Sequence, residues 1–146
     1  MKAVIFDMDG VIINSEPLWK RAEHEVFSSL GVQLTDELCL LTQAMTTSEV
    51  TEFWYSRYPW TGKSLNQVEL MVVDRVIDLI QQEDCEIQGI KGLIEQLKAE
   101  GFKIGLATNS PNKIIPVALK KVKVDHLIDV TSSAEFEEFG KPHPYV

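Results

Sequence analysis

Three short β-prone runs set the frame: "KAVIF" at 2–6, "FKIGLATNS" at 102–110 and "HLIDVTSS" at 126–133. Each is largely apolar and gives way to acidic or small polar residues, the pattern of a buried strand that stops at a polar rim. Between the second and third, "SPNKIIPVALKKV" predicts a helix with Ser110 as cap and Pro111 at its first position. Pro116 sits deeper in it than a helix interior favours. Before the second run, Ile90, Leu93, Ile94 and Leu97 mark a helix closed by Gly101. Strand, helix, strand, helix, strand requires right-handed crossovers and a parallel sheet, so the fold class is α/β.

A block of helices interrupts this alternation after the first strand. Ser15 caps a helix with Pro17 in its first turn and Leu18, Ala22, Val26 and Leu30 along one face, stopped by Gly31. Thr46 with Glu49, and Ser64 with Gln67, form two capping boxes ahead of further apolar stripes, and Pro59 ends the first of those helices. The organisation that follows is a core built from residues 1–13 and 86–146, enclosing an all-α block at 14–85 with hinge segments at both ends. A chain of 146 residues with 45% hydrophobic content suits this arrangement.

In open parallel sheets, ligands bind beyond the carboxyl ends of the strands. Asp7 and Asp9 lie there after the first strand, Thr108, Asn109 and Ser110 after the second, and Lys141 after the third. Taken singly, each has a plain reading: Asp-x-Asp-Gly as a turn, Thr108 as a strand-end cap, Lys141 as a solvated charge. A calcium loop is excluded, because Val11, Ile12 and Leu18 occupy the positions where it needs an oxygen ligand, glycine and glutamate. Together and in order, the three groups suit phosphoryl transfer. One carboxylate attacks phosphorus, and a second moves the proton of the leaving oxygen. A hydroxyl, backbone amides and an ammonium hold the equatorial oxygens, and a divalent cation lets anion approach anion.

"FDMDGVI", "GLATNS" and "GKPHP" together resemble motifs one, two and three of the haloacid dehalogenase superfamily, and the insertion after motif one resembles its helical cap. The resemblance implies a Rossmann-like core, Asp7 as nucleophile, Asp9 as general acid and base, and Thr108 and Lys141 as stabilisers of phosphate and nucleophile. It also implies Mg2+ held by the Asp7 carboxylate and the Asp9 backbone carbonyl. Gly10, Glu16, Thr108, Asn109 and Lys141 are the candidate substrate-binding residues. For Trp19, packing is the heavier reading; for Glu16, packing and pocket lining weigh evenly.

"NSEPLW" and "FWYSRYPWTGKS" are similar to the branch that hydrolyses 2-deoxyglucose 6-phosphate and hexitol phosphates. The related β-phosphoglucomutase branch has histidine where Trp19 stands and a cap arginine near Thr46. Lacking that cation, the chain is expected to hydrolyse small phosphorylated sugars or polyols rather than to isomerise them.

Motif four of the family follows motif three, whereas this sequence ends at Val146; Glu135, Glu137 and Glu138 read as a solvated loop. The alternative reading is therefore a fragment or shortened protein, catalytically inert and acting by binding. In the family's strand order the first strand would have a bare edge. The chain alone is then expected to be a poor enzyme that self-associates or recruits a complementing fragment.

The net charge of −8 argues against nucleic acid or anionic membrane as a partner. No apolar stretch reaches the roughly 20 residues of a membrane span, and no signal-peptide pattern opens the chain, so a cytoplasmic location is expected. Cys39 and Cys85, far apart in helical patterns, read as reduced core thiols.

Overall fold

In the computed structural model, which describes residues 1–146, three parallel strands form one sheet in the order β1-β2-β3. They are β1 (Ala3–Phe6), β2 (Lys103–Thr108) and β3 (Val130–Ser133). Val4 pairs with Ile104, Phe6 with Leu106, and Gly105 with Val130. Because side chains alternate across a strand, Phe6, Ile104 and Leu106 point to the buried face while Ile5, Gly105 and Val130 share the other. That second face is bare: Ile5 is 72% and Val130 65% exposed. The edge of β1 is also unpaired.

Four helices follow β1: α1 (Glu16–Ser29), α2 (Asp36–Thr42), α3 (Thr47–Arg57) and α4 (Leu65–Gln82). Both predicted capping boxes form, with Thr46 and Ser64 accepting from the backbone of Glu49 and Gln67, whose side chains answer in return. Helix α1 packs on α4, and Phe27, Trp54 and Trp60 meet at its far end with ring centroids 6.1–6.3 Å apart around Phe27. The chain leaves and re-enters the sheet region at one point, where Asn14 donates to the Cys85 carbonyl and Ile13 bridges Glu86. From there α5 (Ile90–Ala99) leads to β2, and α6 (Ile114–Val122) to β3. One hydrophobic cluster of 29 buried residues runs from the sheet through all of these except α2.

Four expectations need correction. Ser15 stands at the N-terminus of α1 but makes no capping bond, and neither Ser110 nor Pro111 begins α6, whose first residue is Ile114. Starting later, α6 places Pro116 in its first turn, where a backbone N–H would have no helical partner. The third strand begins at Val130, since His126 and Leu127 form a 3-10 turn. Cys39 is only partly buried: it packs against the edge of the core that encloses Cys85 and also lines a cavity. The short helix α2 carried no signal beyond the block that contains it.

Candidate active site

The turn after β1 explains how two acids come to face one space. Met8, Ile12 and Ile13 are fully buried and anchor the turn. The amides of Ile12 and Ile13 both donate to the Met8 carbonyl, so Asp7 and Asp9, on either side of Met8, are turned away from the core. Gly10 has φ +79°, a conformation that a side chain would strain, and its amide closes the turn on the Ile13 carbonyl at 2.8 Å.

Asp7 Oδ1 is held by the Lys141 ammonium at 2.7 Å and by the Met8 amide at 2.7 Å, which leaves Oδ2 without a protein donor. Lys141 Nζ also donates to the Ala107 carbonyl at 3.0 Å, at the end of β2. Its backbone is clamped by Asn109, whose Oδ1 accepts from Lys141 N and whose amide donates to the Lys141 carbonyl. Four bonds from Lys141 thus tie the segment beyond β3 to the ends of β1 and β2.

Asp9 is the most heavily bonded group of the site. Its Oδ1 accepts from the Ser15 hydroxyl and from the Trp19 indole at 3.2 Å. Its Oδ2 accepts from Ser110 at 2.6 Å and from Thr108 at 3.2 Å. The donors lie on α1 and its cap position and in the segment that ends β2, so this carboxylate ties the helical insertion to the sheet. The Asp9 backbone carbonyl, by contrast, accepts no hydrogen bond.

Asp7, Asp9, Gly10, Glu16, Asn109 and Lys141 line one cavity of about 750 Å3, closed on its other side by α1, α2 and the segment 42–47. Thr108 is fully buried behind its wall and reaches the site only through Asp9 and the Ser110 amide. Sequence reasoning missed Ser15 and Ser110 as partners of Asp9, reading Ser15 as a cap and Ser110 as a cap beside the strand-end polar group, and it weighed Trp19 toward packing. Trp19 does pack on the core, and its indole N–H serves Asp9 as well.

Glu23 was also missed. It lies on α1 seven residues after Glu16 and four after Trp19, the spacing of one helix face, and lines the same cavity. Burial alone pushes its carboxyl from 4.5 up to about 7. The neutral form is thus favoured in the folded protein. Its stabilisation is full below about pH 4.5 and lost as pH rises through about 7. Glu23→Gln, neutral at every pH, should gain on the wild type by on the order of 1–3 kcal/mol between pH 5 and pH 8. Parallel denaturation curves at the two values check this. An equal offset at both would show that the Glu23 carboxyl is solvated.

No group of three or more His, Cys, Asp and Glu side chains converges as a ready metal cage. What the site offers a hard cation is the Asp7 carboxylate and the free carbonyl oxygen of Asp9, a donor set that fits Mg2+, which commonly keeps waters and takes the rest from substrate phosphate.

The chain resembles known proteins over nearly its whole length. Hexitol phosphatase B of Escherichia coli K12 is 37% identical over 145 residues, covering 99% of this chain and 65% of its own length. The phosphorylated carbohydrates phosphatase of Thermotoga maritima is 27% identical over 146 residues, 67% of its length. The chain thus spans about two thirds of these relatives. The crystal structure of β-phosphoglucomutase from Clostridium difficile superposes with a TM-score of 0.80 at 21% identity, over 99% of this chain and 66% of that one, and so shares the fold. The model of the haloacid dehalogenase-like hydrolases matches residues 4–146, from the first strand through the lysine segment, and the chain belongs to that family.

Proposed function

We propose that this chain carries the catalytic centre of a phosphoric monoester hydrolase for small phosphorylated sugars or polyols, working through an aspartyl phosphate on Asp7. The Asp7–Lys141 contact at 2.7 Å carries the reading. The ammonium offsets the charge of the carboxylate and of an arriving phosphate, and holds Oδ1 so that the undonated Oδ2 is the attacking atom. As the new O–P bond forms, the ester oxygen departs with a proton from Asp9. Water then cleaves the acyl phosphate while Asp9 takes up its proton. Asn109, Gly10 and Glu16 border the space where the phosphate would lie, while Thr108, buried behind the wall, acts on it only through Asp9 and Ser110. Mg2+, held by the Asp7 carboxylate and the Asp9 carbonyl, would neutralise phosphate charge.

Residues 14–85 act as the cap, closing over residues 1–13 and 86–146 and shaping the substrate cavity. Thr46 supports hydrolysis over phosphoryl shuttling. It lines the cavity where a bisphosphate would need a cation, and its hydroxyl is engaged in capping α3. The bare sheet face supports self-association or a complementing partner at that face. No helix is long and apolar enough to cross a membrane, and we place the protein in the cytoplasm without nucleic-acid or membrane partners.

The leaving-group dependence of Asp9→Asn tests this mechanism. If Asp9 donates the proton, its loss should slow alkyl phosphates by about 100-fold or more and an activated aryl phosphate far less. Equal losses for both would remove Asp9 from proton transfer.

A further inference from the structure

Of the acids that line the cavity, Glu16 and Glu23 have no protein partner, and of these two only Glu23 is largely withdrawn from water. Asp7 is paired with Lys141, and Asp9 has four donors. Glu23 takes part in no side-chain hydrogen bond and no ion pair, although most of its surface is withdrawn from water. The nearest cation along its helix, Lys20, is engaged with Asp36 of α2 at 3.7 Å. The fold supplies this carboxyl group no donor, so its hydrogen bonds are left to what occupies the cavity, water or a ligand that displaces it.

Its placement says what kind of ligand would. Trp19 touches Asp9, and Glu23 stands one turn further along α1, about 6 Å away at the usual helical rise. A carbon chain of sugar length, phosphorylated at the Asp7 end, would bring its distal hydroxyls to Glu23. The same cavity is lined by Glu16, Asp36, Lys20 and His24; Lys20 is paired with Asp36, which leaves Glu16 and Glu23 as unpaired acids and a distal anion facing net repulsion at pH 8.

We propose that Glu23 is a specificity-determining residue, accepting hydrogen bonds from the distal hydroxyls of an uncharged polyol or sugar arm and rejecting an arm that ends in a carboxylate or a second phosphate. This rests on the phosphatase reading above and adds to it the residue that selects, within that substrate class, a neutral hydroxylated arm.

The test is calorimetric titration at pH 8, where the carboxyl is ionised, of the parent with Glu23, Glu23→Gln and Glu23→Ala. The probes are a hexitol monophosphate, phosphoglycolate and inorganic phosphate, each with Mg2+ present, and all three proteins carry Asp7→Asn so that no ester is turned over during the titration. Inorganic phosphate should bind all three proteins within about twofold, because it does not reach Glu23. The hexitol monophosphate should lose about tenfold or more in Glu23→Ala, and phosphoglycolate should gain several-fold in both variants. Hexitol monophosphate bound equally by all three proteins that also bind phosphate would overturn the role of Glu23 and leave the phosphatase reading standing. A parent that binds no inorganic phosphate would overturn both. The isosteric glutamine variant guards against a folding defect in Glu23→Ala, since a gain for phosphoglycolate requires an intact site.

Discussion

Replacing Asp7 by asparagine is expected to bring phosphatase turnover down by about three to six orders of magnitude, to the background of the site without its nucleophile. The carboxamide keeps the shape of the side chain and can still accept at one oxygen from Lys141 and Met8. It has no nucleophilic oxygen to offer phosphorus. Stability should barely change: Asp7 is nearly half exposed, and an ion pair as accessible as its pair with Lys141 contributes about 0–1 kcal/mol. The same variant should lose protection by beryllofluoride with Mg2+, a phosphate mimic that bonds to the attacking carboxylate and raises the melting temperature of the wild type. Turnover above a few per cent of wild type would rule out the aspartyl phosphate.

The bare face of the sheet leads to the second large effect. Ile5 and Val130 lie on either side of Gly105, and a side chain of that size gains about 1.5–3 kcal/mol when it passes from water to an apolar neighbour. Phe136, just beyond β3, is 70% exposed as well. With the β1 edge open beside them, two copies can bury this face or extend the sheet. The chain alone should therefore scatter light as a concentration-dependent mixture of dimers and larger species. Ile5→Lys combined with Val130→Lys should shift it to monomer, at little cost in folding because both residues already face solvent. A wild-type chain that stays monomeric across the whole accessible concentration range would show that this surface tolerates water.

Local chemistry was legible in the sequence wherever the partner of a group is a near neighbour in the chain. The Thr46–Glu49 and Ser64–Gln67 boxes are of this kind, and both form as read. Ser15 and Ser110 carry the same capping signal and do something else, because the fold brings Asp9 to each. Donating the hydroxyl proton to this charged acceptor sets the serine rotamer and turns Oγ away from the helix amides it would otherwise accept from. That competition is settled by tertiary contact, 101 positions apart in the case of Ser110, and no local pattern records it. The Asp7–Lys141 meeting was legible through strand order, since both residues were read at carboxyl ends of strands in one sheet. Glu23 carried one readable trace, its helical spacing from Glu16 and Trp19. An acid on a helix is ordinarily solvated, so this trace pointed nowhere until the cavity was seen.

Gly140 takes no unusual backbone angle, yet its place is closed to other residues. A β-carbon there would come within 2.9 Å of Asn109 Oδ1. A free carboxamide could swing aside, but this one is engaged at both ends with the backbone of Lys141. The glycine before the lysine and the asparagine after the threonine are thus one decision written in two places. Across descendants of this chain, a larger residue at either position can settle only if the other changes with it. A lineage that broke the pair at Gly140 would loosen the backbone that carries the ammonium while Asp7 and Asp9 stayed unchanged.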